Sequence, residues 1–284
     1  MDVILLLLIA AVAAVALLSV LFVRKSDRSE ISLTSKRKRR LAAIIATGVT
    51  MTFVMFIVAL AYGSAGTMSV HDAISAMMSA IKNGVHTVDE RTVYYYRMPR
   101  AIVAVAVGIG LAVAGCIYQA IIRNPLVDSY ITGVSSGAGF AAVMAIVSGT
   151  VFGFSLGSTF AVPIAAVIGG LAALLMTMTI AEKSGGSSTN YVLAGVVVGF
   201  LFAALQTLML AFSGDKLRNA VFWLYGTFSN IEWGVVWYVI IPIAVMTFIT
   251  LLWAKELNIV LLGEDQAKQA GLNVRRFNRG MMIL

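Results

Sequence analysis

Arg97 and Arg100 bracket Pro99 in the run Arg97-Met98-Pro99-Arg100, directly ahead of the uncharged residues 101–122. Two guanidiniums fixed by a proline at the mouth of a helix suit pairing with carboxylates on a partner. The competing reading is snorkelling, in which the stems lie on apolar surface and the charges stay in water. A second polar corner, Arg123-Asn124-Pro125-Leu126, closes the same apolar run. A third polar stretch, 255–279, contains LGEDQAKQAGL. Glu264 and Asp265 there stand where a helix would begin, a position the macrodipole favours for anions. Gly271 is a natural C-terminal stop. A helix of about two turns is not stable alone in water. This one must be held by the rest of the chain or by a partner.

Little else in the chain can do chemistry. The two histidines, His71 and His86, lie in one polar segment. They can be read as a metal or haem site or, being well separated, as solvated side chains. Cys116 sits inside an apolar run and reads as a small packing residue; a lone cysteine gives no disulfide framework and no thiolate metal site. The phosphate-cradling pattern G-x-x-x-x-G-K-[ST] does not occur. No Asp, Glu, Lys, Arg or His falls inside any of the long apolar runs. A buried charge there is costly and is kept for function. Its absence argues against ion-coupled carriers and against an intramembrane acid–base enzyme. Gln119 and Gln206 are the in-span amides; they read as interhelical hydrogen-bonding groups or as lining of a pathway. Neither catalytic residues nor cofactors are expected.

The elements that position these groups are membrane spans. Of 284 residues, 60% are hydrophobic and only 12% charged, against about 25% charged in soluble domains. About 20 apolar residues, rising 1.5 Å each, cross the ~30 Å hydrocarbon core. Seven runs qualify: 3–23, 41–62, 101–122, 131–147, 159–181, 191–212 and 233–254. The fold class is therefore all-α, a polytopic helical protein of the cell membrane. Gly108, Gly110, Ala112, Ala114 and Gly115 form a small-residue stripe, and Gly133 with Gly137 and Gly195 with Gly199 repeat the small-xxx-small spacing that lets helices approach closely. Residues 213–232, containing Phe222, Trp223 and Tyr225, read as a short re-entrant or surface helix. Tyr94, Tyr95 and Tyr96 sit where an interfacial aromatic belt belongs.

Charge placement fixes the orientation. With the N-terminus outside, 15 of the 21 Lys and Arg fall in cytoplasmic segments: 24–40, Arg123, Lys183 and 255–279. The external segments hold Lys82, Arg91, Arg97, Arg100, Lys216 and Arg218. Cytoplasmic loops of membrane proteins carry this excess. It accounts for the formal net charge of +8 without nucleic acid. The cluster Lys36 to Arg40 then reads as a topology anchor touching anionic lipid, with a nucleic-acid or partner site as the alternative.

Five segments together resemble a known family. They are RMPR, AVAGCIYQAIIRNPLVDSYITGVSSGAG, SSTNYVLAGV, FWLYGTFSNIEW and LNIVLLGEDQAKQAGLNV, in that order between residues 41 and 284. The series is similar to the FecCD-type permeases, the membrane subunits of ABC importers for ferric siderophores, haem and vitamin B12. The resemblance implies a type II ABC importer permease-like fold and a transport subunit that is not itself an enzyme. It implies a homodimer or paired permease, two cytoplasmic ATPases and an extracytoplasmic substrate-binding protein. Arg97 and Arg100 match the arginines that dock glutamates of that binding protein. Asn124 and Leu126, with Ser188 and Thr189, match the cytoplasmic gate, and 191–212 matches a pathway-lining helix. Gly263, Glu264, Ala267, Gly271 and Leu272 match the coupling helices that seat in a groove of the ATPase, which would give the short helix its partner.

Two departures from the family pattern stand out. Residues 1–40 add a span and a basic linker to a permease domain at 41–284, with its coupling segment at 255–279. The family also continues past the coupling segment with further spans, including another pathway-lining helix. The chain is therefore expected to be a truncated or split permease. A non-transporting remnant or scaffold, and an ion-coupled secondary transporter, are the alternatives. The resemblance gives the class of cargo and not the particular chelate.

Overall fold

The structure, a computed structural model, describes residues 33–63, 66–151, 154–155, 160–229 and 231–284. The expected first span at 3–23 and the linker up to residue 32 lie outside the described residues. The chain divides into two compact units: 1–106 with 228–240, and 107–227 with 241–284.

In the first unit, α1 (Leu33–Ala61) runs into a tight hairpin of β1 (Tyr62–Gly63) and β2 (Gly66–Thr67), with Tyr62 opposite Thr67. The polar segment that holds both histidines is helical. It forms α2 (Val70–Asn83), α3 (Val88–Arg91) and a π-helical turn at Thr92–Arg97 that leads into α4 (Met98–Ile122). Ser69 caps α2 by accepting from the His71 amide. Thr87 and Glu90 form a reciprocal capping box at α3, so two otherwise unpaired helix-end amides are satisfied. Val70, Ala73, Ala76 and Ala80 recur at helical spacing and are buried. They pack on Ile57, Leu60 and Ala61 of α1 and on Val93. Pro99 has no N–H to donate, and the wider turn stands directly before it.

The second unit is built on α5 (Val134–Ser148), α6 (Ala161–Lys183) and α7 (Ser188–Ala211). Backbones meet at glycines here. A Cβ on Gly137 would stand 2.5 Å from the Gly169 carbonyl oxygen, and one on Gly195 would stand 2.1 Å from that of Ile131. Both separations are impossible for a side chain, so the small-residue spacing in α5 and α7 marks real close approaches. A buried hydrogen bond from Thr177 Oγ1 to the Thr132 carbonyl (2.9 Å) joins α6 to the short 3₁₀ turn ahead of α5. The stripe on α4 behaves differently. Gly110 meets Ile243, but Gly108 and Gly115 have nothing within 4 Å among the described residues, and Cys116 is exposed rather than packed. Cys116, read as a packing residue, is instead exposed among the described residues.

A surface helix, α8 (Leu217–Tyr225), occupies the segment expected to hold one. The last long helix is α9 (Trp233–Leu252), followed by α10 (Ala254–Leu261), α11 (Glu264–Gln269) and α12 (Val274–Ile283). Among the described residues five helices are long and apolar enough to cross a membrane: 38–61, 88–122, 161–183, 188–211 and 233–252. The span expected at 131–147 is the shorter apolar helix Val134–Ser148. The chain is an all-α, multi-pass membrane protein.

Candidate functional site

The external arginines have different surroundings. Arg97 is 7% exposed. Its guanidinium donates to the carbonyls of Leu60 and Ala61 and to that of Gly66, each at 2.7 Å. Leu60 and Ala61 end α1, where carbonyls lack intrahelical partners and the helix dipole is negative. A cation there satisfies both, and the same side chain pins the hairpin. Arg100 is half-buried. One of its terminal nitrogens donates to the Ser229 carbonyl, while its Nε is buried without a hydrogen-bond partner. Close by in sequence, the Tyr94 carbonyl accepts from Trp233 Nε1 at 2.9 Å. Segments that the charge count places outside are therefore bonded to one another within the first unit. The histidines serve helix ends: His71 lies 3.6 Å from Asp72, and a His86 ring nitrogen lies 2.7 Å from the Asn83 carbonyl.

The opposite-facing segments assemble in the second unit. Asn124 Oδ1 accepts from the Leu126 amide (2.9 Å), and Val127 N bonds the Asn124 carbonyl (3.2 Å). This tight turn holds the Leu126 side chain out, 85% exposed. Ser187 caps α7 by accepting from the Asn190 amide, and Asn190 in turn donates to the Ser184 carbonyl at 2.6 Å. That capping sets Ser188, half-buried, and Thr189, exposed, in the first turn.

Segment 263–272 is a self-terminated helical turn. Gly263 (φ 122°) leads in, and Gly271 (φ 83°) stops the helix in a left-handed conformation that favours glycine. The Leu272 amide reaches back to the Ala267 carbonyl (3.0 Å) and the Gly271 amide to that of Lys268 (2.9 Å). Ala267 is fully buried against Val260 and Val274. Glu264 and Lys268 face each other across one turn at 3.6 Å. The chain's own packing thus holds the short helix while leaving its polar face exposed.

Two links join these segments. Arg123 lies 3.8 Å from Glu264 and donates to Ser188 Oγ at 3.5 Å. Arg279 on α12 grips Glu182 on the last turn of α6 with two hydrogen bonds. That pairing, mainly through its hydrogen bonds, holds the Arg279 proton beyond the ordinary arginine range. Neither link was expected from sequence. Glu182 and Arg279 are 97 positions apart, and no local pattern announces them. Arg123 had a signal in its place directly before Asn-Pro.

A profile of the FecCD transport family matches residues 51–284, most of the chain. The chain belongs to the FecCD transport family. It is 33% identical over 210 residues to the cobalamin import system permease protein BtuC of Halobacterium salinarum, covering 74% of this chain and 55% of that one. The molybdate import system permease protein MolB of Haemophilus influenzae is 33% identical over 193 residues, 67% of this chain and 55% of that one. The vitamin B12 import system permease protein BtuC of Serratia proteamaculans is 32% identical over 197 residues, 68% of this chain and 56% of that one. The chain thus spans about half the length of the curated FecCD relatives it matches. Among solved structures, the inward-facing conformation of a transporter described as of metal-chelate type matches with TM-score 0.68 and 28% identity. That match covers 84% of this chain and 71% of that chain. Together with its five long apolar helices, this makes the FecCD chain a multi-pass protein of the inner or plasma membrane.

Proposed function

We propose that this FecCD chain is the permease subunit of an ATP-driven importer for a metal chelate or corrinoid. It works with a cytoplasmic ABC ATPase and an extracytoplasmic binding protein, as a homodimer or beside a second permease. It is not itself an enzyme; hydrolysis belongs to the ATPase. Residues 41–284 act as the permease domain and 1–40 as an additional span with its linker. Cobalamin-type cargo has the support of two of the three named relatives, the third being a molybdate import permease; iron-siderophore and haem are the classes the family resemblance adds.

The observation that carries this reading is the short helix Glu264–Gln269, closed by Gly271 and seated on Ala267 with its polar side exposed. A passive membrane body needs an energy source, and a preformed exposed turn is what a separate ATPase could seat. Its contacts would be Gly263, Glu264, Gly271 and Leu272; Ala267, expected among them, is fully buried and seats the turn on Val260 and Val274 instead. The inner gate would be Asn124, Leu126, Ser188 and Thr189. At the external mouth Arg100 would pair with acidic side chains of the binding protein, while Arg97 would set the position of that mouth through its carbonyl bonds.

The test is uptake of radiolabelled cobalamin and of a ferric hydroxamate chelate by right-side-out vesicles from the source cell, loaded with or without ATP and given the binding protein outside. Uptake that needs internal ATP and the binding protein supports the proposal. Uptake driven by an ion gradient without ATP contradicts it.

A further inference from the structure

Arg123 is the sole non-glycine residue with positive φ (55°) among the described residues. Left-handed backbone is costly for a residue with a Cβ, and such strain persists where surrounding contacts fix it. The contacts that fix Arg123 come from two other segments. Its guanidinium stands 3.8 Å from Glu264, the first residue of α11, and 3.5 Å from Ser188 Oγ, at the start of α7. Its main chain continues directly into Asn124 and the exposed Leu126. A polar cleft of about 420 Å³ opens between these parts, lined by Arg123, Gly185, Gly186, Ser187, Gly263 and Glu264. The parts therefore have room to move against one another, with the Arg123 side chain crossing the gap.

We infer that Arg123 is the residue that transmits movement of the 263–272 turn to both halves of the inner gate, a role that rests on the function proposed above. When the ATPase shifts α11, Glu264 moves with it. The ion pair then pulls on Arg123, whose other limb holds Ser188 and whose backbone carries Asn124 and Leu126. The left-handed backbone makes the turn bistable: a small displacement lets residue 123 leave its strained region. Both links are partly exposed, so each can break and reform in water. Arg123 is a positioning residue. It touches no cargo in this scheme and reaches the gate only through its neighbours.

The inference is tested in the intact assembly purified from its own membranes with its ATPase. The permease carries Cys116→Ala and Leu126→Cys, and the probe is a fluorescent maleimide. The labelling rate at position 126 is compared with and without ATP plus vanadate. A change of at least about fivefold is expected, the low end of ordinary coupling. Arg123→Gly removes the guanidinium yet suits the backbone, so the turn still folds. It should bring the ratio to within about twofold of one, below the ordinary range of coupling, while ATPase recovery and melting temperature hold. Arg123→Gln, which keeps the length but not the charge, should lower the ratio as well.

An unchanged ratio in Arg123→Gly overturns the role. So does a loss of ATPase recovery in that variant, since Arg123 would then act in docking. If the starting assembly holds no ATPase, the function proposed above fails and takes this inference with it. That outcome is distinct from an assembly that responds to nucleotide with or without Arg123.

Discussion

Arg279 on α12 and Glu182 at the end of α6 meet in a two-pronged ion pair. Glu182 is the buried partner, 14% exposed, and Arg279 the open one at 53%. The pair anchors the segment that follows the 263–272 turn to the helix that precedes the Ser188 turn. Arg279→Ala leaves a mostly covered carboxylate with only the Tyr191 hydroxyl and the nearby Arg275 charge, and removing one member of such a pair is the costly event. A lower melting temperature and faster proteolysis within 255–279 are expected. The double exchange Glu182→Arg with Arg279→Glu should recover part of the loss. High salt should weaken the wild-type pair measurably, because its open side is screened.

Arg97 and Arg100 should separate in their effects. Arg97→Ala removes the guanidinium from the carbonyls of Leu60, Ala61 and Gly66, of which Ala61 keeps the Met68 amide. The expected destabilisation is about 1.5–3 kcal/mol, the range for hydrogen bonds to a charged group. It is read as a drop in detergent melting temperature. Arg100→Ala should leave melting nearly unchanged and reduce capture of the extracytoplasmic binding protein. Equal melting losses in both variants would remove the distinction.

Glycines on α4 and α7 should also part company. Gly195→Ala puts a methyl group 2.1 Å from the Ile131 carbonyl oxygen, and overpacking of this kind costs about 1–3 kcal/mol. Gly108→Ala meets nothing within 4 Å and should stabilise α4 by up to about 1 kcal/mol from helix propensity. Size-exclusion profiles and thermal melts of the two variants check both signs. Equal melts would mean that the approach of α7 to the 3₁₀ turn ahead of α5 is looser than described.

Orientation gives a further expectation. Reporter fusions within 184–187 should fluoresce as cytoplasmic green fluorescent protein. Fusions within 213–216 should instead support periplasmic or external phosphatase activity. The reverse result would invert the assignment made from 15 of 21 basic residues.

The spans were readable because their physics is one-dimensional. Length, apolarity and the charge of the flanks decide them, and helices 98–122, 161–183, 188–211 and 233–252 lie within a few residues of the runs in the sequence. The stop at Gly271 was readable for the same reason, since one residue carries it. The folded external segment was not, because α2 is short and its alanine face has meaning only against Leu60 and Val93. The burial of Arg97 was equally hidden: an Arg-x-Pro-Arg run looks the same whether its first guanidinium faces water or the carbonyls of a helix 36 positions earlier. Cys116 was misjudged because a small residue in an apolar helix says nothing about which side has a neighbour. The candidate gate and coupling residues were placed by family likeness. Their geometry here supplies the Arg123 link, which likeness did not.

The central claim is that 263–272 seats the ATPase that drives this permease. The most direct measurement is recovery of that ATPase, identified by mass spectrometry, with affinity-purified permease from its own membranes. It is compared between wild type and the double variant Glu264→Ala with Gly271→Leu. The account predicts that the double variant inserts and purifies normally and recovers less than about a tenth as much ATPase, the loss that about 1.4 kcal/mol of binding produces. Normal ATPase recovery with both residues replaced would contradict it.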